Sequence, residues 1–327
     1  MNKLFATVLI SIIILFLLAG IGKIFTPMTV LNKTINIKEG TTTAIIATML
    51  ANRGIIDSPA LFLIVAYLSG YADDISYGLF SFSGELSLLD VLHKLVAGEV
   101  VSHELTIPEG YTVGRIAYLA SQKVGCDYNT FFQLTQDTTF IDSLGLPVQT
   151  LEGFLFPDTY YVPYYADERY IITMMLDNFF LHWNSIHPEE ISFDSLYSIL
   201  ILASIVEREA VHDDEMPLIS GVYTHRLERG MLLQADPTVA YALEIKSISR
   251  DKIYYVDLQI DSPYNTYRYP GLPPTPICNP GIQAIKAALH PAETKYLFFF
   301  AGDNSRHIFS RTYAEHLRKL REYRGRI

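Results

Sequence analysis

Apolar residues run uncharged from Leu4 to Gly22, with Lys3 before them and Lys23 after. At 1.5 Å per residue that run spans about 28 Å, close to the hydrocarbon thickness of a bilayer. It exceeds the usual apolar region of a cleaved signal peptide, and Ala19-Gly20-Ile21-Gly22 is a poor cleavage site. An uncleaved single-pass anchor within residues 1–28 is expected. Lys3 then lies on the cytoplasmic side of the inner membrane, and the body faces the periplasm or cell exterior.

Residues 29–150 read as short alternating strands and capped amphipathic helices. Thr34 to Ile37 alternates as a strand and Lys38-Glu39-Gly40 turns it; Thr41 to Thr43 then cap a helix to Asn52. Ser58-Pro59 opens a second helix ending near Gly70. A third runs from Leu88 to Val96, closed by Gly98, and a strand follows from Val100 to Ile107. The strand ends Ile37-Lys38-Glu39-Gly40 and Ile107-Pro108-Glu109-Gly110 are related, each followed by Thr and a helix. This unit is similar to small α+β peptidoglycan-binding modules of the LysM kind, and the same pattern fits an ordinary spacer domain.

The second region, residues 151–327, carries a helix from Leu196 to Val206 that is apolar at nearly every angle, as a helix packed on all sides must be. Glu207, Arg208 and Glu209 then arrive together. Two readings stand: the glutamates mark where the helix meets water, or one carboxyl is shielded with a raised pKa and acts as a general acid and base. Glu207 continues the Leu200 and Ala203 stripe, and Glu209 that of Leu202 and Ile205, so periodicity does not choose between them. They diverge by roughly 200° around the helix, so at most one faces a given sugar. Beyond, Ala284 to Ala288 reads as a helix, Tyr296 to Phe300 as a buried strand and His307 to Phe309 as its hairpin partner.

Composition narrows the classes. Half of the 327 residues are apolar and 18% are charged, so the chain folds, and a net charge of −10 argues against nucleic acid as partner. The basic residues Arg318, Lys319, Arg321, Arg324 and Arg326 fit the solvated face of a terminal helix. Cys126 and Cys278 have no CxxC partners, and the nine histidines lack ligand spacing, so neither metal nor other cofactor is expected. Whether the two cysteines pair is not legible.

Leu151 to Pro163 packs aromatics around two prolines, a composition suited to sugar rings or to a core. Gln234-Ala235-Asp236-Pro237-Thr238 sits between helices, and residues 262–276 make a long loop rich in hydrogen-bonding side chains, the kind that lines sites.

Together these pieces resemble the MltG/YceG-like family of endolytic murein transglycosylases. The resemblance rests on IPEGY at Ile107–Tyr111, LEGFLFPDTYYV at Leu151–Val162, ASIVERE at Ala203–Glu209 and LQADPTVAY at Leu233–Tyr241. It continues through YNTY at Tyr264–Tyr267, GLPP at Gly271–Pro274 and Pro280-Gly281. Pro273-Pro274-Thr275 stands where the family has Pro-Pro-Gly. The resemblance implies an α+β catalytic domain that cuts the MurNAc–GlcNAc bond of peptidoglycan glycan strands, leaves a 1,6-anhydroMurNAc end and terminates nascent strands. Peptidoglycan synthases are candidate partners. It places the catalytic role on Glu207. Gln234, Asp236, Thr238, Asn265 and Tyr267 are candidates for holding substrate, with Glu152 and Asp158 as fallback carboxylates.

Overall fold

The computed structural model describes residues 22–325 except 165, 188, 190, 249 and 251. Apart from Gly22, the apolar run from Leu4 lies outside the described residues. Among those, no helix is long and apolar enough to cross a membrane. The fold is mixed α+β, as expected. The described residues form two compact units, one running to residue 103 and including 161–166, the other of 104–160 and from 167 onward.

In the first unit β1 (Met28–Ile37) is followed by α1 (Thr43–Asn52), α2 (Pro59–Leu68), β2 (Gly78–Leu86) and α3 (Leu88–Val96). β1 and β2 are antiparallel, with an irregularity between Val30 and Lys33. Ser58 accepts from Leu61 N–H as read, and Ser87 and Asp90 form a reciprocal capping box. The cap expected from Thr41 to Thr43 is not made: Thr42 at the N-cap accepts no helix N–H, and the Thr41 and Thr43 hydroxyls donate to Lys38 O and Ala72 O. β2 was not foreseen, because Ser81, Ser83 and Gly84 dilute its alternation of Leu79, Phe80 and Phe82. Phe80 and Phe82 point inward onto Ile35, Ile37, Leu50, Phe62 and Leu92. Each such side chain removed from water contributes roughly 1.5–3 kcal/mol.

The second unit begins earlier in the chain than the texture boundary at residue 151. β3 (Ser102–Thr106) and β4 (Thr159–Pro163), each cut by a unit boundary, form a two-stranded sheet, and between them lie α4 (Val113–Lys123), α5 (Tyr128–Leu134) and α6 (Thr138–Ser143). Asn279 shows why this segment belongs with the later chain. Its amide donates to Glu152 Oε1 (3.0 Å) and Tyr111 O (2.9 Å), and its oxygen accepts from Gly153 and Leu155 N–H. Three separated motifs are thus one buried hydrogen-bonded knot.

α7 (Glu168–Ile186) precedes α8 (Phe193–Glu209), which is packed by α9 (Met216–Glu228), α10 (Asp236–Glu244) and α11 (Ile282–Leu289). Leu196 and every residue from Leu200 to Val206 are buried, so the all-round apolarity of α8 has its cause. The antiparallel pair β5 (Phe298–Ala301) and β6 (His307–Ser310) is half-buried rather than buried. α12 (Tyr313–Arg324) carries the basic residues Arg318, Lys319, Arg321 and Arg324, Arg326 lying outside the described residues. Within α12, Glu322 pairs with Arg318 and Glu315 with Lys319.

The aromatic segment after Leu151 is chiefly core. Leu151, Phe154, Leu155, Phe156 and Tyr160 are buried, and Phe154 packs on Phe179, Phe193 and Tyr197. Cys126 and Cys278 are both free.

Candidate active site

α8 ends on two glutamates with different surroundings. Glu207 turns toward the first turn of α11, where its Oε2 accepts the Gly281 N–H at 3.0 Å. The Glu109 carboxyl packs directly over Gly281, in the space a Cβ there would take. Burial pushes the Glu207 carboxyl up to about 7; the Gly281 hydrogen bond opposes this, and the Glu109 and Asp213 charges add to it.

Glu209 faces a cavity of about 520 Å³ whose walls include Gln234, Asp236, Tyr267, Tyr223, Arg226 and His307. Its Oε2 is buried and has no hydrogen-bond partner among the described residues. A buried carboxyl oxygen left unpaired is costly and in native proteins needs a reason. Burial pushes this carboxyl up to about 7 as well. Asp236 adds to the shift, and the Tyr223 hydroxyl and Arg226 hold it back.

The cavity wall is rigidly built. The Tyr267 hydroxyl donates to Asp236 Oδ1 at 2.5 Å. Gln234 sits at a φ of 51°, a left-handed conformation unusual for a residue with a side chain, pinned by its N–H to Thr266 O at 3.1 Å. Strain of this kind costs about 1–3 kcal/mol and collects at functional sites. Arg226 is buried behind the wall, where its guanidinium donates to the carbonyls of Leu297 and Leu233. His307 is held by Glu215, which accepts from both its ring Nδ1 (3.0 Å) and its backbone N–H (3.0 Å).

Of the residues proposed from sequence, Gln234, Asp236 and Tyr267 come together, with Glu209 and not with Glu207. Thr238 and Asn265 are corrected to scaffold. The Thr238 hydroxyl is buried against Ala235 O and Thr266. Asn265 is wholly buried; its amide donates to the Leu258 and Ile260 carbonyls and its oxygen accepts from Tyr267 N–H, leaving no atom for a ligand.

Glu152 is also spent. Val113 N–H, Asn279 and the Tyr241 hydroxyl all donate to it, and burial pushes its carboxyl up to about 8. Asp158 is exposed, where it accepts from Thr159 N–H and Asn178. Neither lines the Glu209 cavity. Tyr223, Arg226 and His307 escaped the sequence reading. Tyr223 and Arg226 are single residues of one helix and His307 opens the expected hairpin strand, and only their convergence marks them.

A profile of the YceG-like family matches residues 35–322. The endolytic murein transglycosylase of Bacillus subtilis (strain 168) is 31% identical over 308 residues, covering 88% of this chain and 84% of that protein. The endolytic murein transglycosylase of Streptococcus pneumoniae (strain ATCC BAA-255 / R6) is 31% identical over 300 residues. There the match covers 82% of this chain but 54% of the relative, so the chain spans about half of that protein. A crystal structure of a YceG-like protein from Listeria monocytogenes superposes with a TM-score of 0.58 at 29% identity, covering 88% of this chain and 98% of that one.

Proposed function

The chain belongs to the YceG-like family, and from that premise we propose that it is an endolytic peptidoglycan transglycosylase with Glu209 as its acid and base. The observation that carries the assignment is that Glu209 lines the cavity shared with Asp236, Tyr267 and Gln234 while its Oε2, buried, has no hydrogen-bond partner among the described residues. A carboxyl poised near neutrality protonates the oxygen bridging MurNAc to GlcNAc. The MurNAc C6 hydroxyl then attacks its own C1 and gives its proton back to the same carboxylate. The bond broken is C1–O, the bond formed is C1–O6, and the product is a 1,6-anhydro end. No water is consumed, so one carboxyl suffices where hydrolases ordinarily use two.

Asp236 and Tyr267, joined by a hydrogen bond, and Gln234 hold the sugar's hydroxyl and N-acetyl groups. Such cutting, by an enzyme held to the membrane through residues 4–22 beside the synthases, ends nascent strands. The β-α-α-β order of the first unit supports a LysM-like glycan-binding role for it.

A second reading keeps the acid on Glu207, where the motif comparison put it. Its carboxyl is likewise pushed up to about 7. Parallel Glu209→Gln and Glu207→Gln variants, assayed on purified sacculi by mass spectrometry of the released ends, separate the two. Loss of anhydro ends is expected for Glu209→Gln alone, and its full retention of cleavage would overturn the assignment. Reducing ends in place of anhydro ends would identify a hydrolase.

A further inference from the structure

Three cavities of the second unit join along one side of α10. The Glu209 cavity shares Arg208, Ala240 and Ile253 with a middle cavity, and that one shares Arg115, Glu244 and Ser247 with a third of about 730 Å³. Asp236, Ala240 and Glu244 succeed one another at four-residue steps on one helix face. The three openings therefore adjoin along one helix face, which spans about 12 Å between Asp236 and Glu244, and together they form a groove.

The groove changes chemistry along its length. Its far end is aromatic: Tyr118 is 61% exposed, and Tyr128 stacks on Phe132 with ring centroids 6.0 Å apart. Its waist is cationic in a chain of net charge −10. Among the described residues, Arg115, Arg208, Arg250 and Lys252 line it against the carboxylate of Glu244. Glu244 is shared among Arg115 (3.5 Å), Arg208 (3.8 Å) and the Thr112 hydroxyl (2.7 Å), and Arg250 is held by Asp257. Arg115, with its side chain 53% exposed, retains donors that can turn to a ligand.

Resting on the transglycosylase reading, we propose that this groove binds a second stretch of the glycan, away from the bond cut. The aromatic end stacks on a sugar face, and the waist, through Arg115, takes a carboxylate carried on the sugar's 3-O substituent. An arginine fork matches a carboxylate, and amphipathic ring faces suit the C–H side of a sugar. Two sources supply that carboxylate: the lactyl group itself, freed when the stem peptide is removed, and the stem peptide.

The test compares the full chain with its Arg115→Gln, Arg115→Lys and Tyr118→Ala variants on peptide-bearing strands and on strands stripped by an amidase. Affinity of the Glu209→Gln form for the same strands and for neutral chitin oligomers is measured in parallel, so binding is read even where no cleavage occurs. Arg115→Gln is expected to weaken binding to one anionic strand type ~10-fold, the loss of one charge-assisted contact, with reduced salt dependence. Arg115→Lys restores part of it. Chitin affinity falls less than twofold with Arg115→Gln and at least fivefold with Tyr118→Ala. The strand type that responds names the carboxylate. Equal losses on charged and neutral oligomers, or none on any, would overturn the proposal. Absence of cleavage by the parent chain with these binding differences intact would overturn only the transglycosylase reading.

Discussion

Gly281 donates its N–H to the Glu207 carboxylate at 3.0 Å. That bond joins the end of α8 to the N-terminus of α11, where backbone donors otherwise lack partners. Glu207 therefore serves as an interhelical cap, while Glu209, two residues on, faces the cavity.

A cap is worth about 0.5–2 kcal/mol. Glu207→Ala is expected to lower unfolding stability by about that amount in urea denaturation, and Glu207→Gln by less, because its amide oxygen still accepts. Glycan cleavage by Glu207→Gln should persist. Glu209→Gln should lose roughly 10²–10⁴-fold in rate with its fold unchanged by circular dichroism.

Activity should fall as pH rises. The Glu209 carboxyl, pushed up to about 7 by burial, must be protonated to act as an acid, so kcat/KM declines through a limb near that pH. The pH profile of strand cleavage checks this. A rate still climbing well above pH 8 would exclude Glu209 as the acid.

Stability should also fall with pH, through Glu152. Its folded pKa of about 8 lies above the ordinary 4.5, so the native state holds a proton that the unfolded chain has released. Stability conferred by the neutral form is full below about 4.5 and is lost progressively up to about 8. Glu152→Gln should flatten that decline in thermal melts across this range. Its amide can donate to Tyr241, whose hydroxyl can turn to accept.

Asn265→Ala should cost about 2–4 kcal/mol in chemical denaturation, because it strands two carbonyls and one N–H in a buried place. Activity per folded molecule should suffer as well, since the same side chain sets the backbone at Tyr267.

Tyr267→Phe should reduce kcat/KM roughly tenfold, the worth of one hydrogen bond to a charged group, with little change in melting temperature. Steady-state kinetics on isolated glycan strands read this directly.

Much of this protein was legible residue by residue. Ser58 announced its helix because an N-cap acts within one turn, and the apolar run of α8 announced a helix buried on every side. The ordered motifs named the family because each is local in sequence. Tertiary structure decided what periodicity could not. An angle on a helix says nothing of what waits in that direction, so two equally apolar stripes led Glu207 to a helix cap and Glu209 to a cavity. The Asn265 and Glu152 side chains looked like binding groups until partners met them. The Asn279 amide that completes the Glu152 shell lies 127 residues away. A polar side chain is free for substrate only when the fold brings it no partner, and that is settled by contacts no stretch of sequence contains.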